Sequence, residues 1–292
     1  MAMIHFFKQN PILKLMLFFL ITIIACITYS CCKETDCKCN PNCDEPEKKV
    51  EYWKYFIAHA GGQIDGIDYT NCVEALDLSY SKGCRLFELD LRVTTDGKII
   101  AAHDPIEITE AEFMSTLIEG KYTPMNMETI NDWFRRHPDA ILVTDKINSP
   151  QRIYDEFLFP DRVVMELFTW GAIDKAIELG IKPMASEWLI FAKSTKALSM
   201  NFGPVKLIPD EELEQIFKEK GIEYICMSRW CISGKEDFLR RLKKNGIKNY
   251  VYSLEYPING QPAEQYVWNY EMNFCYGMYA NDLDLLSVLL NE

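Results

Sequence analysis

Four side chains of this 292-residue sequence have types and spacings suited to chemistry at a phosphate: His59, the alternating pair Glu88-x-Asp90, and His103. Two hard carboxylate oxygens can hold a divalent cation, and an imidazole on either side can move protons across it. That combination suits cleavage of a phosphodiester. Taken alone, an alternating Glu-x-Asp is a solvated strand face, so the weight rests on the elements that bring the four together.

Phe56-Ile57-Ala58 is an apolar run ending at His59-Ala60-Gly61-Gly62, and Arg85 to Leu91 is a strand-like run ending near Thr94-Thr95-Asp96-Gly97. Between them Asn71 to Lys82 carries Val73, Leu76 and Tyr80 at helical spacing, with Gly83 as the stop. The unit reads strand, helix, strand. Alternation puts Glu88, Asp90 and, one step on, Arg92 on one face, with Phe87, Leu89 and Leu91 on the other. In a strand covered on both faces those acids are buried and need a cation or a partner. The run Ile99 to Ala102 follows the Asp96-Gly97 turn and delivers His103-Asp104 back beside the carboxylates. His137, at the end of an amphipathic helix closed by Pro138, is given no role.

Beyond this unit, strand candidates Ala140 to Ile147, Val163 to Phe168, Pro183 to Trp188, Tyr224 to Trp230, Tyr250 to Glu255 and Phe274 to Ala280 bring the total to eight. Helical stretches Ala172 to Leu179, Asp210 to Lys220, Lys235 to Asn245 and Pro262 to Glu271 fill the gaps, several stopped by glycine. Alternating strands and helices imply a parallel sheet. The expected fold class is α/β, a single (β/α)8 barrel over residues 52–292, with its chemistry at the C-terminal ends of the strands. His59, Asp90, Asp145, Glu166, Glu187, Arg229, Glu255 and Asp282 fall there.

The ordered motifs resemble those of the glycerophosphodiester phosphodiesterases, within the wider group of phosphatidylinositol-phospholipase-C-like barrels. That family's His-Arg-Gly, Pro-Glu-Asn-Thr, Glu-x-Asp, Asp-Gly and His-Asp are matched by His59-Ala60-Gly61, Tyr69-Thr70-Asn71-Cys72, Glu88-Leu89-Asp90, Asp96-Gly97 and His103-Asp104. Thr123 to Glu128 looks like its Pro-Thr-Leu-Glu stretch, and Tyr276 to Asp282 resembles its Gly-x-x-Thr-Asp ending. The resemblance implies a metal-dependent phosphoric diester hydrolase acting on a glycerophosphodiester-like substrate. It implies His59 and His103 as the acid-base pair and calcium or magnesium on Glu88, Asp90 and a third acid.

The sequence departs from that pattern at instructive places. The family's phosphate-contacting arginine is Ala60 here, so Lys146 and Arg92 are the candidates for binding phosphate. The family's Glu-x-Lys pair falls on Thr144-Asp145-Lys146, where strict alignment gives Thr144. Asp145 is the preferred third metal ligand if a bulge turns it inward, with Glu166 in reserve. Two other readings stay open: a barrel that binds an anionic or phosphorylated glycan without turnover, and a phospholipase of the same group.

Residues 1–31 have the layout of an export leader: Lys8 and Lys14, then an apolar stretch from Leu15 to Ile27, then cysteines. The segment is too short for a permanent span. Cys31 is the expected lipidation site, with Cys26 as the alternative, which places an exported chain at the bacterial cell envelope, tied to a membrane through its N-terminal lipid. Residues 32–51 read as a Cys-rich, charged tether, and the odd, scattered cysteines of the barrel do not form a disulfide framework. The net charge of −12 excludes a nucleic-acid partner. The expected partner is a small-molecule or lipid-derived phosphodiester.

Overall fold

The computed structural model describes residues 50–190 and 208–291. The leader 1–31, Cys26, Cys31 and nearly all of the 32–51 tether lie outside the described residues. No helix among the described residues is long and apolar enough to cross a membrane.

Among the described residues, ten strands run in chain order: β1 Phe56–Ala58, β2 Leu86–Val93, β3 Ile99–Ala101, β4 Met125–Asn126, β5 Ile141–Asp145, β6 Val163–Leu167, β7 Lys182–Ser186, β8 Tyr224–Ser228, β9 Lys248–Tyr252 and β10 Gly277–Ala280. Eight of them close a parallel barrel in the order β1, β2, β5, β6, β7, β8, β9, β10, and β10 pairs back to β1. The remaining two, β3 and β4, are antiparallel additions outside the ring, β3 on β2 and β4 on β3. Helices occupy Val73–Ser81, Met127–Arg136, Pro150–Glu156, Trp170–Glu178, Asp210–Lys220, Glu236–Lys244 and Asp284–Asn291. The expected (β/α)8 barrel is the fold observed.

Alternation along the strands builds two cores. Ile57, Leu86, Val143, Val164, Met184, Cys226, Tyr250 and Tyr279 pack together inside the ring. The opposite face of β2, Phe87, Leu89 and Leu91, belongs to the larger core shared with the helices, where Phe87 meets Trp133 edge-on at 4.9 Å. Gly277 is required by this packing: a Cβ there would lie 2.6 Å from the Tyr250 ring and 2.6 Å from the Tyr55 carbonyl oxygen. Cys72 and Cys84 are fully buried and pack as small apolar groups.

Several strand ends differ from the sequence reading; the strand expected over Ala140 to Ile147 spans Ile141–Asp145, and the one expected from Phe274 starts at Gly277. The segment from Glu187 is a short helix, Glu187–Ile190, and Arg229–Cys231 is a 3-10 turn. The ninth strand starts and stops earlier than expected, so Glu255 stands in the loop beyond it. At these ends polar residues of the mouth meet partners outside the ladder: Glu187 accepts from Ser228 N–H, the Arg229 guanidinium pairs with Glu271 at 2.6 Å, and Glu255 accepts the Tyr69 hydroxyl.

Candidate active site

The chain turns sharply after His59. Ala60, Gly61 and Gly62 all have positive φ, at 48°, 85° and 95°. The glycines adopt this readily and Ala60 does so at a steric penalty. The turn aims the Ala60 N–H at Glu88, whose Oε2 accepts it at 2.7 Å. Ala60, the position that the resemblance aligns with an arginine, therefore contributes backbone rather than a cation.

Glu88, Asp90 and Asp145 each place one carboxylate oxygen within 4.8 Å of the others, and all three are buried. The β2–β5 register sets Asp90 directly beside Asp145. No bulge is involved: Val143 and Asp145 face inward by plain alternation, and Thr144 faces outward. Lys146 then enters the left-handed region, φ 65°, which lets both its backbone N–H and its ammonium reach Asp145 at 2.6 Å. The same ammonium lies 3.3 Å from Asp90. Glu166 points into the same cavity but is held by the Ser186 hydroxyl at 2.7 Å and stands outside the acidic cluster.

Asn71, fully buried, clamps Asp90 from the other side. Its Nδ2 donates to Asp90 Oδ2 at 2.9 Å and its Oδ1 accepts the Asp90 N–H at 3.0 Å. Burial first, then the charges of Asp90 and Asp145, hold the Glu88 carboxyl well above its ordinary range. Glu88 Oε1 is buried with no hydrogen-bond partner among the described residues. Three hard oxygens, one of them orphaned, fit a divalent cation.

The histidines flank this cluster. His59 Nδ1 is 2.9 Å from Asn281 Oδ1 at the end of β10, and desolvation of the ring keeps its pKa below the ordinary histidine value despite nearby acids. His103 is carried back by β3: Ala102 N–H donates to the Asp90 carbonyl at 2.8 Å. Arg92 does not line the cavity; its guanidinium donates to the His103 carbonyl at 2.7 Å and so fixes that loop. The two histidines, Glu88, Asp145, Lys146, Tyr69 and Glu255 share one cavity of about 220 Å3 at the C-terminal mouth. A larger groove of about 630 Å3, between the helices Asp210–Lys220 and Glu236–Lys244, contains none of these groups.

Three residues of this arrangement were not singled out from sequence: Tyr69, Asn71 and Asn281. All three enter the sequence reading only as members of motifs, and the partners of Tyr69 and Asn281 are distant in sequence. The one local signal was at Asn71, a polar residue at a helix start that turns out to be buried.

Comparison with known proteins bears on the architecture. No family model and no curated protein matches this sequence. Among solved structures, a glycerophosphodiester phosphodiesterase from Parabacteroides distasonis is 14% identical, covers 81% of this chain and 96% of its own, and has a TM-score of 0.59. One from Thermotoga maritima is 17% identical, with coverages of 80% and 97% and a TM-score of 0.58. A phosphodiesterase from Oleispira antarctica, solved with the product sn-glycerol-3-phosphate, is 12% identical, with coverages of 82% and 97% and a TM-score of 0.56. The likeness extends over the whole barrel and establishes its fold.

Proposed function

We propose that this chain is a metal-dependent phosphoric diester hydrolase of the glycerophosphodiester phosphodiesterase type. One observation carries the reading: two histidines and two members of a buried acidic triad, Glu88 with an orphaned oxygen and Asp145, line a single cavity at the mouth of the barrel, and Asp90 completes the triad within 4.8 Å of both. The barrel fold shared with enzymes of that name supports it, as fold alone does not decide function.

Glu88, Asp90 and Asp145 would hold calcium or magnesium. Bound there, the cation would polarise a non-bridging phosphate oxygen and offset the charge that builds on it. His59 is the proton acceptor in this reading, since desolvation keeps its pKa below the ordinary histidine value and favours the neutral ring. If Nδ1–H donates to Asn281, Nε2 keeps its lone pair for the attacking hydroxyl, from water or from a neighbouring position on the substrate. As the new O–P bond forms and the ester P–O bond breaks, His103 gives its proton to the leaving alkoxide. Lys146 supplies positive charge beside the phosphate, and Arg92 fixes the His103 loop.

The cavity is below the roughly 300 Å3 lower end of drug-sized pockets, which favours a small diester over an intact phospholipid. Export and lipid attachment through Cys31 complete the proposal and place the substrate outside the cytoplasm.

The test is hydrolysis of bis(p-nitrophenyl) phosphate and of glycerophosphodiesters with calcium, magnesium or chelator. His59→Ala and His103→Ala should each lower the rate by about two to four orders of magnitude. If no diester is turned over, yet calorimetry shows cation binding that Glu88→Ala abolishes, the barrel is a binding protein.

A further inference from the structure

Tyr69 stands between the two histidines. Its ring meets His59 edge-on, with centroids 4.9 Å apart and planes at 81°, and lies tilted against His103 at 4.5 Å. His103 has weak restraints otherwise. Its side chain is 41% exposed, and Nδ1 pairs with an Asp104 that is 89% exposed, a contact that solvent screens. The Tyr69 ring is therefore the firm surface on which the His103 imidazole rests.

Tyr69 is itself held in an uncommon conformation. Its φ is 61° and that of Asn71 is 49°, a backbone that a bulky aromatic residue adopts only when its surroundings impose it. Those surroundings are present at both ends. Asn71 N–H donates to the Ala60 carbonyl at 3.1 Å, and the Asn71 side chain is locked on Asp90. At the other end, the Tyr69 hydroxyl donates to the Glu255 carboxylate from the loop after β9, two strands round the ring from β1. The Tyr69 side chain thus joins both histidines to that loop, while its neighbour Asn71 holds the acidic triad.

We propose that Tyr69 is a positioning residue: anchored by its hydroxyl on Glu255, its ring sets the separation and orientation of His59 and His103. The effect on rate rests on the hydrolase reading above, whereas the ordering of His103 is a property of the folded chain. Misplacement of an acid or base by about 1 Å can cost about 10²-fold in rate, so the ring should matter to turnover more than to binding.

The experiment compares the full chain with Tyr69→Leu, Tyr69→Phe and Glu255→Gln. Side-chain relaxation of 13C-labelled histidines and steady-state kinetics on bis(p-nitrophenyl) phosphate are recorded for each. In Tyr69→Leu the His103 ring should lose order, while His137, stacked on Trp133 at 4.0 Å, keeps it and reports an intact fold. The turnover number should fall at least tenfold with KM within about twofold. Tyr69→Phe keeps the ring but loses the anchor, and should fall only about threefold, with Glu255→Gln behaving alike. Unchanged His103 order together with kcat within twofold in Tyr69→Leu would overturn the assignment. Should Tyr69→Leu fail to fold, an ordered His103 in both Tyr69→Phe and Glu255→Gln overturns it, and loss of order there supports it. If the unaltered chain cleaves no diester, the hydrolase reading falls while the relaxation data still decide the role of Tyr69.

Discussion

Asn71 grips Asp90 at two points, its amide donating to the carboxylate at 2.9 Å and its carbonyl oxygen accepting the Asp90 N–H at 3.0 Å. An outer partner of this kind orients a ligand carboxylate, and its loss typically weakens metal binding about 10- to 100-fold. Asn71→Ala should weaken calcium or magnesium binding by that factor in calorimetry. Asn71→Asp, which sets a third negative charge against Asp90, should instead lower the melting temperature of the cation-free chain.

The carboxylates and histidines were legible in the sequence because each lies on or just after a short apolar run whose period fixes its face. Glu88 and Asp90 on β2 follow from alternation alone. Asp145 reaches the cluster by regular alternation rather than through the bulge that the sequence reading requires. Matching Lys146 to an inward lysine made Asp145 face outward, whereas the left-handed backbone at Lys146 leaves Asp145 inward and returns the ammonium to it. Tyr69 and Asn281 were not legible as functional. Asn281 meets His59 across 222 residues, and Tyr69 meets Glu255 across 186, distances over which no local pattern carries information.

Glu88→Gln separates the triad's stability from its binding. Burial and two neighbouring carboxylates make ionising Glu88 unfavourable, and a glutamine oxygen can still accept the Ala60 N–H at the Oε2 position. The variant should therefore melt at the same temperature as the unaltered chain or a few degrees higher without added cation. The stabilisation that calcium or magnesium gives the unaltered chain should disappear. Thermal unfolding with and without cation reads both effects, and a cation shift retained in Glu88→Gln would remove Glu88 from the site.

Lys146 holds two of the three acids that would bind the cation, Asp145 at 2.6 Å and Asp90 at 3.3 Å. Its ammonium competes for those oxygens. Replacing it by methionine should tighten cation binding about tenfold, in line with the ~1.5 kcal/mol lower end for hydrogen bonds to charged groups. The same change should slow diester cleavage by removing positive charge from beside the phosphate. Tighter binding with slower turnover distinguishes this role from that of a simple structural ion pair, for which affinity would fall.

His59 sets the acid side of the pH profile. Desolvation lowers its pKa below 6.5, while Asp90, the Asn281 hydrogen bond and other acids oppose the shift without reversing it. Between the folded value and 6.5 the unfolded chain binds more protons than the folded one. The His59 contribution to stability is therefore complete above pH 6.5 and is lost as pH falls through that window. If His59 is the base, kcat/KM should stay high down to a pH below 6.5 before it declines. Asn281→Leu removes a contact that raises the pKa, so the decline should move to still lower pH. The plateau should also drop, by about 10- to 100-fold, because the ring then loses the partner that fixes its tautomer and direction. NMR titration of the His59 ring alongside the pH-rate profile checks both, and a profile that follows an unshifted histidine in the unaltered chain would remove His59 as the base.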